Sequence, residues 1–326
     1  WIGGRAAGAE LEAGLEARLL WNELANDAPK LSFRPNGSLT IARTEAELKV
    51  MQQSLELPDA HLRGWNLLER SEVQSLNPAL RGNFIAGLFC ELDGAVEPGQ
   101  ILGSLREHLH DHDNYTWFEN TEVVDVVDNI AGATAIARDG REFEADLVLV
   151  CPGADHKSLF AEQLKAAPLR RVRLQMMSTE PLGEELTTSI ADGDSLRYYP
   201  AYDVPALREL PPQVEIAASS AMQLLMVQRT DGTLTIGDTH EYEEPFDFQL
   251  READFEYLRD VASDILGAPL PKIIHRWDGV YSQQTQGTVC ERIRISENIC
   301  VVTGPGGRGN TLSPAIAEAT LRELGI

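Results

Sequence analysis

Apolar positions along the chain switch between helical and strand periods, and the switches divide it into elements. Residues 8–26 place Leu11, Leu15, Leu19, Leu20 and Leu24 at helical spacing, which predicts one apolar helix face. A Pro35-Asn36-Gly37 turn then feeds a short strand over 38–42. Residues 44–55 read as a helix with Thr44 as N-cap and Glu47 at the capping-box position. Residues 71–76 read as a second small capped helix, 98–111 as a helix, and 121–127 as a β-branched strand. Strands over 133–137 and 142–151 flank Asp139-Gly140, a strong hairpin signal.

The run Asp146-Leu-Val-Leu-Val-Cys-Pro-Gly-Ala154 is apolar almost throughout and ends at a glycine, the pattern expected of a central strand buried on both faces. From 169 to 276 the pattern turns antiparallel, with strands over 171–178, 223–229 and 233–237, an Asp231-Gly232 turn, and a helix over 252–266. Parallel-type strands thus lie on either side of an antiparallel insertion. The predicted fold class is α/β, with mixed α+β character, in two interleaved domains.

The chain closes on Ile299-Cys-Val-Val-Thr-Gly-Pro-Gly-Gly-Arg-Gly-Asn-Thr311 and a helix beyond it: a strand, a loop with four glycines, a helix start. Glycines let backbone N–H groups approach an anion or an electron-rich ring, and the helix dipole favours negative charge there. Read alone, such a loop is more readily a tight strand-to-helix turn with no ligand.

Composition narrows the partners. Acidic residues number 51 against 28 Lys plus Arg, a formal charge of −23. That field repels phosphate backbones and anionic lipid, so neither nucleic acid nor membrane is an expected partner. The cysteines Cys90, Cys151, Cys290 and Cys300 lie far apart without a CxxC, which reads as free buried thiols in a reducing, cytoplasmic setting. Cys151, in an apolar strand, reads as structural and inert. His108, His110 and His112 with Asp111 and Asp113 suggest a metal site, but alternate spacing scatters the imidazoles around a helix, so a solvated helix end is preferred.

Seven segments stand in a telling order: Gly37–Ala42, Asp93-Gly-Ala-Val-Glu-Pro-Gly-Gln-Ile-Leu102, Thr121-Glu-Val123, residues 145–154, Val172-Arg-Leu-Gln-Met176, Gly232-Thr-Leu-Thr-Ile-Gly237 and Thr303-Gly-Pro-Gly-Gly-Arg-Gly309. Together, and over essentially the whole chain, they resemble the flavin-dependent D-amino-acid oxidase superfamily, in particular its sarcosine and glycine oxidase branch. The run from Gln228 to Tyr242 is similar to a subgroup some of whose members are thought to act on N-alkylated aminophosphonates. The resemblance implies a Rossmann-like FAD domain over 1–30, 92–165 and 285–326, and a mixed or antiparallel-sheet substrate domain over 31–91 and 166–284. It implies oxidation of the C–N bond of a small amine bearing an anionic group. It places the flavin against Val123, Gly153, Ala154, Gly304, Gly306, Gly307, Gly309, Asn310 and Thr311, and it makes His240 a polar group over the flavin with a side chain suited to proton handling.

Departures from the family pattern matter as well. The strand–GxGxxG–helix unit that opens the family is absent, since no strand precedes Gly3-Gly4. The expectation is a fragment beginning roughly 40 residues into such a protein, by the span of that unit, or else a truncated product that holds FAD poorly. The branch's oxygen-activating lysine is replaced by Thr235, and its carboxylate-anchoring lysine by Asn310 and Thr311. Arg308 or Arg276 would then have to grip the anion, as arginine does in bidentate fashion. Gly279 and Val280 stand where some relatives carry a flavin-linking cysteine, so FAD is expected to be non-covalent.

Each candidate has a plainer reading. His240 could be a surface-loop residue, and Tyr198 and Tyr199 core packing rather than an aromatic wall. Arg276 beside Trp277 could be a cation–π surface pair. Two other function classes stay open: a non-catalytic remnant or partner subunit of the same fold, and a nicotinamide-dependent dehydrogenase, which has no place for the C-terminal glycine loop.

Overall fold

The computed structural model describes residues 1–111 and 114–326. Its strands are β1 (Ser38–Ala42), β2 (Trp65–Glu69), β3 (Ala86–Cys90), β4 (Val123–Asn129), β5 (Gly132–Ala137), β6 (Glu142–Ala145), β7 (Val148–Val150), β8 (Leu169–Pro181), β9 (Ser189–Ala191), β10 (Leu225–Gln228), β11 (Thr233–Gly237), β12 (Ile273–Gln284), β13 (Glu291–Arg294) and β14 (Ile299–Thr303). The chain forms two compact units, one of residues 1–104 and 173–279, the other of 105–172 and 280–326. The interleaved, mixed α/β architecture is the one the alternation of patterns predicts.

The first unit is built on an eight-stranded sheet of order β12-β8-β11-β10-β9-β1-β3-β2. β1 pairs with β9 in parallel and with β3 antiparallel, and β9, β10, β11 and β8 follow antiparallel. The Asp231-Gly232 turn joins β10 to β11, Gly232 taking a φ of 84° that an L side chain resists. The helix Glu252–Leu266 buries Phe255, Leu258 and Ile265 in a core with Leu39, Ile41 and Ile236. Thr44 and Glu47 form the expected reciprocal capping box on the helix Glu45–Ser54. The helix Arg70–Leu76 starts one residue earlier than expected, capped by Glu69.

The helix Ala9–Asp27 corrects the apolar face drawn from its leucines. Leu11, Gly14, Ala17 and Trp21 are buried, while Leu19 is 64% exposed. Small residues set this face, because Gly14 and Ala17 let the helix approach its neighbours closely.

The second unit holds two three-stranded sheets, β13-β14-β7 and the β4-β5-β6 meander, over a core of Val126, Ala133, Val150, Leu164, Ile299 and Val301. Here the expected strand over 142–151 divides. β6 ends at Ala145 in the meander, and β7 begins at Val148 in the other sheet, paired in parallel with β14. β7 is also an edge strand, not a central one: its only partner among the described residues is β14, Leu149 is 39% exposed, and Cys151 beyond it is exposed rather than buried. Cys90, Cys290 and Cys300 are buried and free. No helix among the described residues is long and apolar enough to cross a membrane.

Candidate functional site

In the second unit the glycine loops meet because their strands are parallel neighbours. Ile299 lies opposite Val148 and Val301 opposite Val150, so both strands deliver their following loops to the same edge. Parallel strands open a ligand crevice at their carboxyl ends. The Thr303 hydroxyl donates to the Gly153 carbonyl at 3.0 Å and locks the two loops together. Gly153, Gly304 and Gly306 have φ of 61°, 74° and 65°. The reasons differ. A Cβ on Gly304 would come within 2.6 Å of Leu169 and 3.2 Å of the Gln284 nitrogen, whereas a Cβ on Gly153 would meet nothing within 4 Å. Gly304 is required by packing, and Gly153 faces open space.

The rest of the loop is braced from within. The Gln284 N–H donates to the Gly304 carbonyl at 2.9 Å, and Gln283 bridges to Pro305. Arg308 turns Nε onto the Pro305 carbonyl at 3.1 Å and an Nη onto the Thr288 carbonyl at 3.3 Å. The helix Gly309–Leu324 starts at once with no side-chain cap, so its first N–H groups rely on other acceptors. Thr311 is half-buried and Asn310 exposed. His156, which the sequence reading passed over, shares a 2.8 Å hydrogen bond with Ser282. Val123 packs at the margin of the unit's core opposite Ala137 on β5.

These residues fit a flavin cofactor. A glycine-lined crevice at the ends of parallel strands, with an open position at Gly153 and an uncapped helix start, offers backbone donors and room for a ring or a diphosphate.

The first unit gathers a second group of residues. His240 is buried, its ring stacked on Tyr198 at 4.5 Å between centroids, with Tyr242 at 6.2 Å. Its Nδ1 lies 3.0 Å from the Ala221 carbonyl and its Nε2 3.6 Å from the Asp238 carboxylate. His240 is therefore not a surface-loop residue. Tyr199 is buried against Trp1, with the Arg5 guanidinium 5.6 Å above its ring, and it belongs to a core cluster with Trp65 and Tyr202. Burial holds its hydroxyl well above the usual tyrosine range. Asp93 anchors this corner by accepting from the Ile2 and Gly3 N–H groups and the Ser38 hydroxyl.

Arg276 lies outside both groups. Its guanidinium pairs with Glu252 at 2.7 Å and sits over Phe255, not Trp277, because adjacent residues of β12 point to opposite faces. Sequence reasoning also missed Arg229. Its Nε donates to the Thr235 hydroxyl at 2.7 Å and its Nη1 to the Val96 carbonyl at 3.1 Å, so a cation stands beside Thr235 after all. Among the described residues no cluster of three or more His, Cys, Asp or Glu could hold a metal; His112 and Asp113 lie outside them.

A family model described as FAD dependent oxidoreductase (DAO) matches residues 1–322. No curated protein matches the sequence. Among solved structures, glycine oxidase from Bacillus cereus is similar at a TM-score of 0.76 and 16% identity, over 98% of this chain and 84% of its own. L-proline dehydrogenase from P. horikoshii follows at 0.75 and 17%, over 99% and 81%. Iminodiacetate oxidase from Chelativorans sp. BNC1 stands at 0.68 and 17%, over 95% and 79%. At such identities the likeness is one of fold.

Proposed function

This chain belongs to the DAO family of FAD-dependent oxidoreductases, and from that premise we propose that it oxidises the C–N bond of a small amine bearing an anionic group to an imine. The observation that carries the reading is the pair of strand-end glycine loops locked by Thr303 and Gly153, in a chain whose similar structures carry names of amino-acid oxidases and dehydrogenases. When bound, FAD supplies the hydride acceptor for the C–H bond beside nitrogen. Val123, Gly153, Ala154, Gly304, Gly306, Gly307, Gly309, Asn310 and Thr311 would hold it without a covalent bond.

Arg308 sets a positive charge at the glycine loop and serves as the anion anchor, the two bonds to loop carbonyls fixing its direction. Arg276 is the weaker choice, since Glu252 already neutralises it. His240, stacked on Tyr198, and Tyr199, packed against Trp1, lie buried in the first unit and carry no step of this reading.

The test is anaerobic bleaching of the flavin by a panel: glycine, N-methylglycine, D-alanine and N-methyl-aminomethylphosphonate, against uncharged methylamine esters of similar size. Anionic amines should bleach it and the neutral ones should not. If dithionite bleaches the flavin and no anionic amine does, the reading fails.

Acceptor choice follows from Thr235. A hydroxyl cannot carry the charge that assists electron transfer to oxygen, and the neighbouring Arg229 guanidinium is tied to Thr235 and to Val96. The reduced enzyme should reoxidise slowly in air and faster with a quinone or dye, as stopped-flow mixing will measure. Reoxidation by oxygen that outpaces the dye would contradict this.

A further inference from the structure

Arg170 lies at the start of β8 and Gln283 at the end of β12, and both belong to the second unit with the glycine loop. The Thr285 N–H and hydroxyl donate to the Pro168 carbonyl at 2.9 and 3.0 Å, which holds the two strand ends together. Arg170 then donates from Nε to Oε1 of Gln283 at 2.8 Å. A guanidinium has donors only, so its partner is the oxygen of the amide. The Gln283 NH2 group is thereby turned the other way.

That direction leads to the glycine loop. A Cβ on Gly306 would stand 3.4 Å from Nε2 of Gln283, and one on Gly307 would stand 3.5 Å from the Tyr281 hydroxyl. Tyr281 and Gln283 alternate along β12 and so share the face that meets the turn Gly306–Arg308. The neighbouring polar groups are committed: Ser282 to His156, Oε1 of Gln284 to the Gln286 and Thr288 N–H groups, and Arg308 to the Pro305 and Thr288 carbonyls. Gln283 differs, since its Nε2 makes no hydrogen bond among the described residues. A cation fixes the direction of this amide, and its donors are unspent.

We propose that the Gln283 amide donates a hydrogen bond to the flavin ring and raises its reduction potential, and that Arg170 is the positioning residue that fixes the direction of the amide. This rests on the assignment of the glycine loop to the flavin. Reduction brings an electron pair into the ring, so negative charge grows there. A preorganised N–H donor facing that charge favours the reduced form over the oxidised one.

The part played by Arg170 follows from the symmetry of the amide. A glutamine free to turn about its last bond presents oxygen to the loop as readily as nitrogen. A carbonyl dipole in that place would repel the growing charge and favour the oxidised form instead. The Arg170 bond to Oε1 selects the nitrogen.

The test is the midpoint potential of the bound flavin, titrated with dithionite against a reference dye, which needs no amine. Gln283→Leu should make reduction roughly tenfold less favourable, the loss of one hydrogen bond to a charged group, which is about 30 mV for a two-electron couple. Gln283→Glu keeps the Arg170 contact but replaces the donor by a negative charge, and should lower the potential further. Arg170→Met should lower it too, and Arg170→Lys, which can still donate to Oε1, should restore it. In a Gln283→Leu background Arg170→Met should move the potential no further, because its effect runs through the amide. A Gln283→Leu potential equal to that of the wild type overturns the donor role. An additive effect of Arg170→Met in the double variant means that the guanidinium acts by its own charge, and overturns the positioning role. A protein that holds no flavin after gel filtration sinks the flavin assignment and the proposal with it, whereas bound flavin with an unmoved potential sinks the proposal alone.

Discussion

Gly153→Val yields a protein that folds and loses most of its FAD. Gly153 holds a φ of 61° with no atom within 4 Å of where a Cβ would stand. In the protein alone the substitution therefore costs only left-handed backbone strain, on the order of 1–2 kcal/mol, against a typical total stability of about 5–15 kcal/mol. The cofactor meets a different situation, because the new methyl groups fill the crevice beside the Thr303–Gly153 lock. Forcing atoms into a filled space costs about 1–3 kcal/mol or more, which is roughly 5- to 150-fold in affinity. Gly140→Val is the matched control: Gly140 also has open space and a φ of 86°, but it turns the hairpin between β5 and β6. Flavin per protein after gel filtration, with circular dichroism for folding, separates the two. Equal flavin retention in both variants would remove Gly153 from the site.

That the loops could be found in sequence while their surroundings could not has a physical reason. A glycine at positive φ, a capping box or an Asp-Gly turn is dictated by its immediate neighbours, so the Thr44–Glu47 cap and the Asp231-Gly232 turn read out directly. The helix Glu252–Leu266 likewise carries its own period and its own Gly267 stop. β7 does not, because an apolar run looks the same whether its partners lie on both sides or one, and pairing with β14 joins residues about 150 apart. Leucines misled in the helix Ala9–Asp27 because Gly14 and Ala17 made the close contact. In the candidate site, Arg308 was visible as a charge in a glycine loop, but its bonds to Pro305 and Thr288 were not. The burial of His240 was equally hidden, because Ala221 claims one imidazole nitrogen and Tyr198 covers the ring, contacts that cross 19 and roughly 40 residues of sequence.

A larger effect is expected from a buried carboxyl of the first unit. Asp192→Asn should stabilise the protein at mildly alkaline pH and leave its stability in acid nearly unchanged. Asp192 is buried and accepts from the Leu224 N–H at 3.0 Å. Desolvation first, then the carboxylates of Asp194 and Glu47, push its carboxyl from the ordinary 3.8 to about 7. Between those two values the unfolded chain ionises at this position while the folded chain stays protonated. Stability is therefore full below the unfolded value, falls as pH rises toward about 7, and is flat beyond. At 1.36 kcal/mol per unit, the three-unit gap sets a ceiling of about 4 kcal/mol. Asparagine keeps the acceptor for Leu224, cannot ionise, and turns its new N–H donors toward a neighbourhood that already holds two carboxylates. The variant's gain should open across that window and persist above it, as calorimetry at acid and alkaline pH will measure. A gain of equal size at both pH values would trace the effect to packing, and a loss in alkali would mean that the native fold needs Asp192 charged.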